Sequence, residues 1–81
     1  TMTREADQIA QDYSAMGDSV ALITAVIAGD QMADESAEDR QDCVDRNTQH
    51  LELMVALKDW GSESMTAVNA AITAGNGYTA K

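Results

Sequence analysis

Apolar side chains fall at Met2, Ala6, Ile9, Tyr13, Met16, Val20, Ile23 and Ile27, in alternating steps of four and three. That spacing is a heptad seam, and it predicts one long helix over about residues 3–28. Thr3 stands where an N-cap is wanted, with Glu5 and Asp7 in the first turn, where the helix dipole favours acids. Gly29 supplies a C-terminal stop. Gly17 interrupts the helix at a cost of about 1 kcal/mol relative to Ala. It is either a tolerated defect or a place where another backbone comes close.

Within this helix Ser19 to Ala28, SVALITAVIA, is ten residues without a charge. Val20, Leu22, Ile23, Val26 and Ile27 are distributed around the whole circumference, and a helix apolar all round must be buried all round. Residues 29–35 then form a connector, and Asp34 or Ser36 starts a second helix, Ser36-Ala-Glu-Asp39 having the character of a capping box although Asp is a poorer partner there than Glu. The second helix is expected over about 35–60, with Val44, Asn47, Leu51, Met54 and Val55 on one face. Gly61 ends it. Ser62 or Ser64 caps a short third helix over about 63–74, striped by Met65, Val68 and Ile72 and stopped by Gly75-Asn-Gly77. Tyr78 is expected to fold back onto the body.

The fold class is therefore all-α in a single domain, 1–81: a long antiparallel helical hairpin plus a short third helix. A turn near Met32 places Ile23 opposite Gln41, Val20 opposite Val44, Tyr13 opposite Leu51 and Ile9 opposite Val55. The block at 19–28 thus faces residues 36–45, which are mostly charged. The third helix is expected to cover the other end of the hairpin, near 51–57. The two apolar blocks are out of register, so Val20, Leu22, Ile23, Val26 and Ile27 are expected to form an interface with another molecule.

Composition sharpens that expectation. A chain of this length buries only about 60% of its unfolded surface. Cys43 is the single cysteine, so no disulfide within the chain can staple the fold, and no zinc ligand set exists. Oligomerisation is the remaining common route to stability. No secretory leader is read at the start, and the apolar block is far shorter than the roughly 20 residues that span a bilayer. The lone thiol fits a reducing interior or a particle assembled there.

Fourteen acids against five bases give a net charge of −9. That argues against nucleic-acid binding, which needs clustered Lys and Arg. The charge is concentrated in residues 30–45, which hold seven acids and Arg40 alone. Asp34, Glu35, Glu38, Asp39, Asp42 and Asp45 are either a solvated face or a docking surface for a basic partner. Asp30, Asp34 and Glu35 do not make a calcium loop, because Met32 occupies a ligand position and the required Gly and terminal Glu are missing. Cys43 and His50 lie two turns apart, with no third ligand for a metal and no oxyanion donor for a nucleophile. The five methionines read as adaptable packing residues. Asn47, on the packing face, either sets register or sits at a wet edge. No cofactor is expected, and no acid, base and nucleophile can be assembled into an enzyme site.

The stretch from Arg46-Asn-Thr-Gln-His-Leu-Glu to Trp60, followed by Met65-Thr-Ala-Val-Asn-Ala-Ala-Ile-Thr-Ala-Gly75, resembles small uncharacterised proteins of tailed phages of marine bacteria, including cyanophages. The resemblance covers roughly residues 40–80. It implies a phage context, with a place in the virion or the host cytoplasm, and no catalytic residues. The leading expectation is a non-enzymatic structural or assembly protein acting through self-association or docking on other phage structural proteins. The alternative is an acidic effector that binds a host protein through residues 30–45. No membrane partner is expected.

Overall fold

Among the described residues three helices, α1 (Met2–Ala28), α2 (Ala37–Leu57) and α3 (Thr66–Gly77), pack pairwise around one core. The computed structural model describes residues 2–57, 60 and 63–81, with side chains from Gln8 onward. The body is elongated, 47 × 19 × 16 Å, its long dimension set by α1. The all-α hairpin with a shorter third helix is the architecture expected from the apolar spacing.

Local chemistry accounts for most of the boundaries. α1 stops at Gly29, whose φ of +84° is cheap only for glycine. The Gly29 N–H donates to the Val26 carbonyl at 3.2 Å and the Asp30 N–H to that of Ala25 at 2.9 Å, the paired bonds of a Schellman motif. α2 starts where Ser36 Oγ accepts from the Asp39 N–H at 3.1 Å, so the hydroxyl satisfies a helix donor that would otherwise have none. At the other end of α1, the helix already includes Met2, and the expected cap Thr3 has its side chain outside the described residues, as do Glu5 and Asp7.

Two boundaries differ from expectation. α2 is helical to Leu57, and Trp60 lies outside it; Lys58, Asp59, Gly61 and Ser62, including the expected stop and one expected cap, lie outside the described residues. Trp60 turns back under the helix end, its Nε1–H donating to the Met54 carbonyl at 3.1 Å. α3 is displaced by three residues from 63–74 to Thr66–Gly77. Ser64 does not cap it: N-cap Met65 makes no side-chain capping bond, and the Ser64 carbonyl accepts from the Tyr13 hydroxyl of α1. Nor does Gly75 stop it. Gly75 is buried within the last turns, directly against Thr48 of α2. Its small size serves helix packing, not chain reversal.

The core joins Met16, Ile23 and Val26 of α1 to Val44 and Leu51 of α2, then to Trp60 and to Val68 and Ala71 of α3. Met16, Ile23, Val44 and Leu51 are the fully buried large side chains. Each contributes about 1.5–3 kcal/mol by leaving water. Tyr13 and Trp60 add a tilted ring contact at 6.4 Å between centroids where the chain crosses from α2 to α3.

For Ile23 and Val26 this core corrects the expectation that another molecule must seal the α1 block. Ile23 and Val26 are 1% and 2% exposed within the single chain. Three features missing from a two-helix register add to this core and to the first half of α2. Met32 in the connector adopts φ +58° and packs its side chain against the core. Tyr78 and Ile72 pack on the same cluster. The segment after α3 is fastened to the first half of α2: Gln41 Nε2 donates to the Tyr78 carbonyl at 3.1 Å and Gln41 Oε1 accepts from the Ala80 N–H at 2.7 Å. Arg40 adds a bond to the Lys81 carbonyl at 2.7 Å. The outward arc of the block is mixed, with Ala21, Thr24, Ile27 and Ala28 exposed, and the Thr24 hydroxyl bonds back to the Val20 carbonyl. A helix can be uncharged all round without needing to be buried all round.

Among the described residues nothing beyond its own helix comes within 4 Å of where a Cβ on Gly17 would stand. Gly17→Ala is expected to raise stability by about 0.5–1 kcal/mol through helix propensity, measured as a higher urea midpoint. A loss of stability would mean that the position is occupied by another molecule.

Candidate functional site

The five block residues do not stand together as a surface. Ile23 and Val26 are core residues, Val20 and Leu22 are half-buried against that core, and Ile27 alone is exposed, at 38%. As an interface the set is withdrawn for Ile23 and Val26, because side chains already sealed inside the chain have no area left to offer.

The acidic residues lie differently. Asp34, Glu35, Glu38, Asp39, Asp42 and Asp45 are all exposed, the first two in the connector and the rest on the first half of α2. Glu38, Asp42 and Asp45 share a shallow groove with Ala37, Gln41 and Ala80, where the C-terminal segment crosses α2. Two of the carboxylates have local partners: Asp42 pairs with Arg46 Nε at 2.9 Å and Asp45 accepts from Gln41 Nε2 at 2.9 Å. The Arg46–Asp42 pair is exposed on both sides, so it contributes no more than about 1 kcal/mol. A neighbouring groove is lined by Asp45, Thr48, Gln49, Glu52 and Asn76. Asn76 donates to Glu52 there at 3.0 Å, tying α3 to α2.

The remaining candidates lie apart. Cys43 is half-buried and free, while His50 is exposed one heptad further on. Asn47 donates to the Cys43 carbonyl at 2.8 Å within its own helix, so its amide is satisfied locally. Among the described residues no three His, Cys, Asp or Glu side chains converge to hold a metal ion. Among them, too, no helix is long and apolar enough to cross a membrane.

One feature was not anticipated. Leu53 and Leu57 are 65% and 70% exposed, on the side of α2 that faces neither α1 nor α3. The expectation that α3 would cover the apolar end of the hairpin holds for Leu51 and fails for these two. The signal was present in the spacing: Arg46, His50, Leu53 and Leu57 repeat in steps of four, three and four on a second stripe of the helix.

No family model, curated protein or solved structure matches this chain.

Proposed function

We propose that this chain is a non-enzymatic structural or assembly protein of a phage particle, working by helix-mediated docking on copies of itself or on other structural proteins. The observation that supports it is a body with a closed core that still presents two leucines, Leu53 and Leu57, to solvent on a regular helix. Contiguous exposed apolar patches mark protein contacts, and these two leucines are neighbours one turn apart on α2. The phage setting rests on the resemblance over residues 40–80. Mass spectrometry of purified particles is expected to find the chain in multiple copies. Particles free of it would overturn this reading.

A second reading is favoured by the exposed carboxylates at 34–45: an acidic effector that binds a basic host protein in the cytoplasm. Under it, a tagged chain captures one basic partner, and capture falls steeply with salt because the contacts are screened charges. Reversing Glu38, Asp39 and Asp42 to lysine is then expected to abolish capture. Capture that survives the reversal would rule this surface out.

A further inference from the structure

We propose that residues 78–81 form a strap that opens and closes on the first half of α2 while the three helices stay folded. The Gln41 amide is its latch, and the Asp45 carboxylate orients that latch. The strap is independent of the assembly reading.

Past Gly77 the chain leaves α3 in an extended conformation, with Tyr78 at φ −79° and ψ 132°. In extended backbone the C=O of one residue and the N–H two residues on point to the same side. Gln41 meets that pair with one planar group: Nε2 donates to the Tyr78 carbonyl at 3.1 Å, and Oε1 accepts from the Ala80 N–H at 2.7 Å. The second Nε2 hydrogen goes to Asp45 Oδ1 at 2.9 Å. An ionised carboxylate can only accept. Turned end for end, the amide would set Oε1 against Asp45 and its own donors against the Ala80 N–H, losing every one of these bonds. Asp45 therefore decides which end of the amide meets which strap group. Arg40 holds the far end, donating to the Lys81 carbonyl at 2.7 Å.

What holds the strap differs in kind from what holds the helices. The cluster of buried side chains takes no residue from 78–81. Thr79 and Lys81 are exposed, and Tyr78 and Ala80 are half-buried, with Tyr78 packed on the edge of the cluster. The bonds from Gln41 and Arg40 all end on the strap's main chain and lie near solvent. A segment with few buried apolar contacts and solvent-accessible hydrogen bonds opens locally, below the free energy of global unfolding. Opening gives up the Gln41 and Arg40 bonds and the seat of Tyr78, and it leaves the buried cluster whole. It also withdraws Ala80 from the shallow groove it lines with Ala37, Glu38, Asp42 and Asp45. The acidic half of α2 thus has a narrow form and a wide one.

The test is native-state amide exchange of the whole chain, read residue by residue by NMR, with urea raised in steps below the unfolding transition. The Ala80 N–H is expected to exchange faster than those of Val44, Leu51 and Val68, at a rate that hardly responds to urea. Theirs should climb steeply with urea, because their exchange requires the surface exposed on global unfolding. Gln41→Ala is expected to speed Ala80 exchange about tenfold, the loss of two modest hydrogen bonds, with the three core amides no faster and the urea midpoint no lower. Asp45→Ala, which leaves the amide in place but frees it to turn, is expected to speed it about threefold. Ala80 exchange that climbs with urea in step with the core amides would make the segment part of the cooperative core. Exchange as fast as in an unstructured peptide would mean that the strap is not closed. A rate untouched by Gln41→Ala or by Asp45→Ala would remove the latch or the group that orients it. Each of these results would overturn the proposal.

Discussion

Ile23→Asp is expected to unfold the chain under conditions in which Ile27→Asp leaves it folded. The two positions are one helical turn apart in the same uncharged block, yet Ile23 is 1% exposed and Ile27 38%. At Ile23 the substitution removes a fully buried apolar side chain, worth about 2–5 kcal/mol with the cavity it leaves. It also places a carboxylate among Met16, Val26 and Val44 with no cation in the core cluster, which adds several kcal/mol more. A domain of this size has about 4–12 kcal/mol in total. At Ile27 the carboxylate reaches water, and its main cost is an acid in the last turn of α1, about 0.3–1 kcal/mol. Far-UV circular dichroism with urea titration separates the two. Equal losses at both positions would show that the block is not divided into an inner and an outer side.

Gly75→Ala is expected to destabilise the fold by about 1–3 kcal/mol, even though the same change in an exposed helix gains up to about 1 kcal/mol. A Cβ on Gly75 would overlap Thr48 Oγ1 and stand 3.0 Å from Thr48 Cβ and 3.1 Å from Cγ2. Turning the threonine so that its Cβ hydrogen faces the new methyl removes the hydroxyl overlap but leaves Thr48 Cβ 3.0 Å away, so the helices must separate. Thr48 is 3% exposed and its hydroxyl finds no hydrogen-bond partner, so nothing polar is lost when it is trimmed. Thr48→Ala is therefore expected to restore most of the stability lost at Gly75, and the two changes should be strongly non-additive in a double-mutant cycle. Gly75→Ala as stable as the native chain would show that α2 and α3 do not meet this closely.

These two positions mark what a linear reading of the chain could and could not reach. The Gly29 stop and the Ser36 cap are decided within one turn of helix and the heptad seam along a single helix, and the extent of α1 and one of the two expected starts of α2 followed from them. Gly75 carried the composition of a stop, and only the approach of Thr48 from a residue 27 positions away makes it a packing residue. The sealing of Ile23 and Val26 was out of reach for a related reason. Pairing two helices as rods leaves out Met32, whose backbone takes a conformation uncommon outside glycine, and the Gln41 amide that holds Tyr78 and Ala80. Neither has a periodic signature. Leu53 and Leu57 failed in the opposite sense: the run 51–57 is apolar enough to suggest burial on every side, but α3 reaches only the side that carries Leu51.

A single chain closes its own core. The direct check is urea unfolding of the chain carrying Leu53→Ser and Leu57→Ser, which removes the exposed apolar pair on which the assembly reading rests, repeated over about a hundredfold range of protein concentration. One cooperative transition with the same midpoint throughout is expected. A midpoint that climbs with concentration would mean that a neighbouring chain completes the fold.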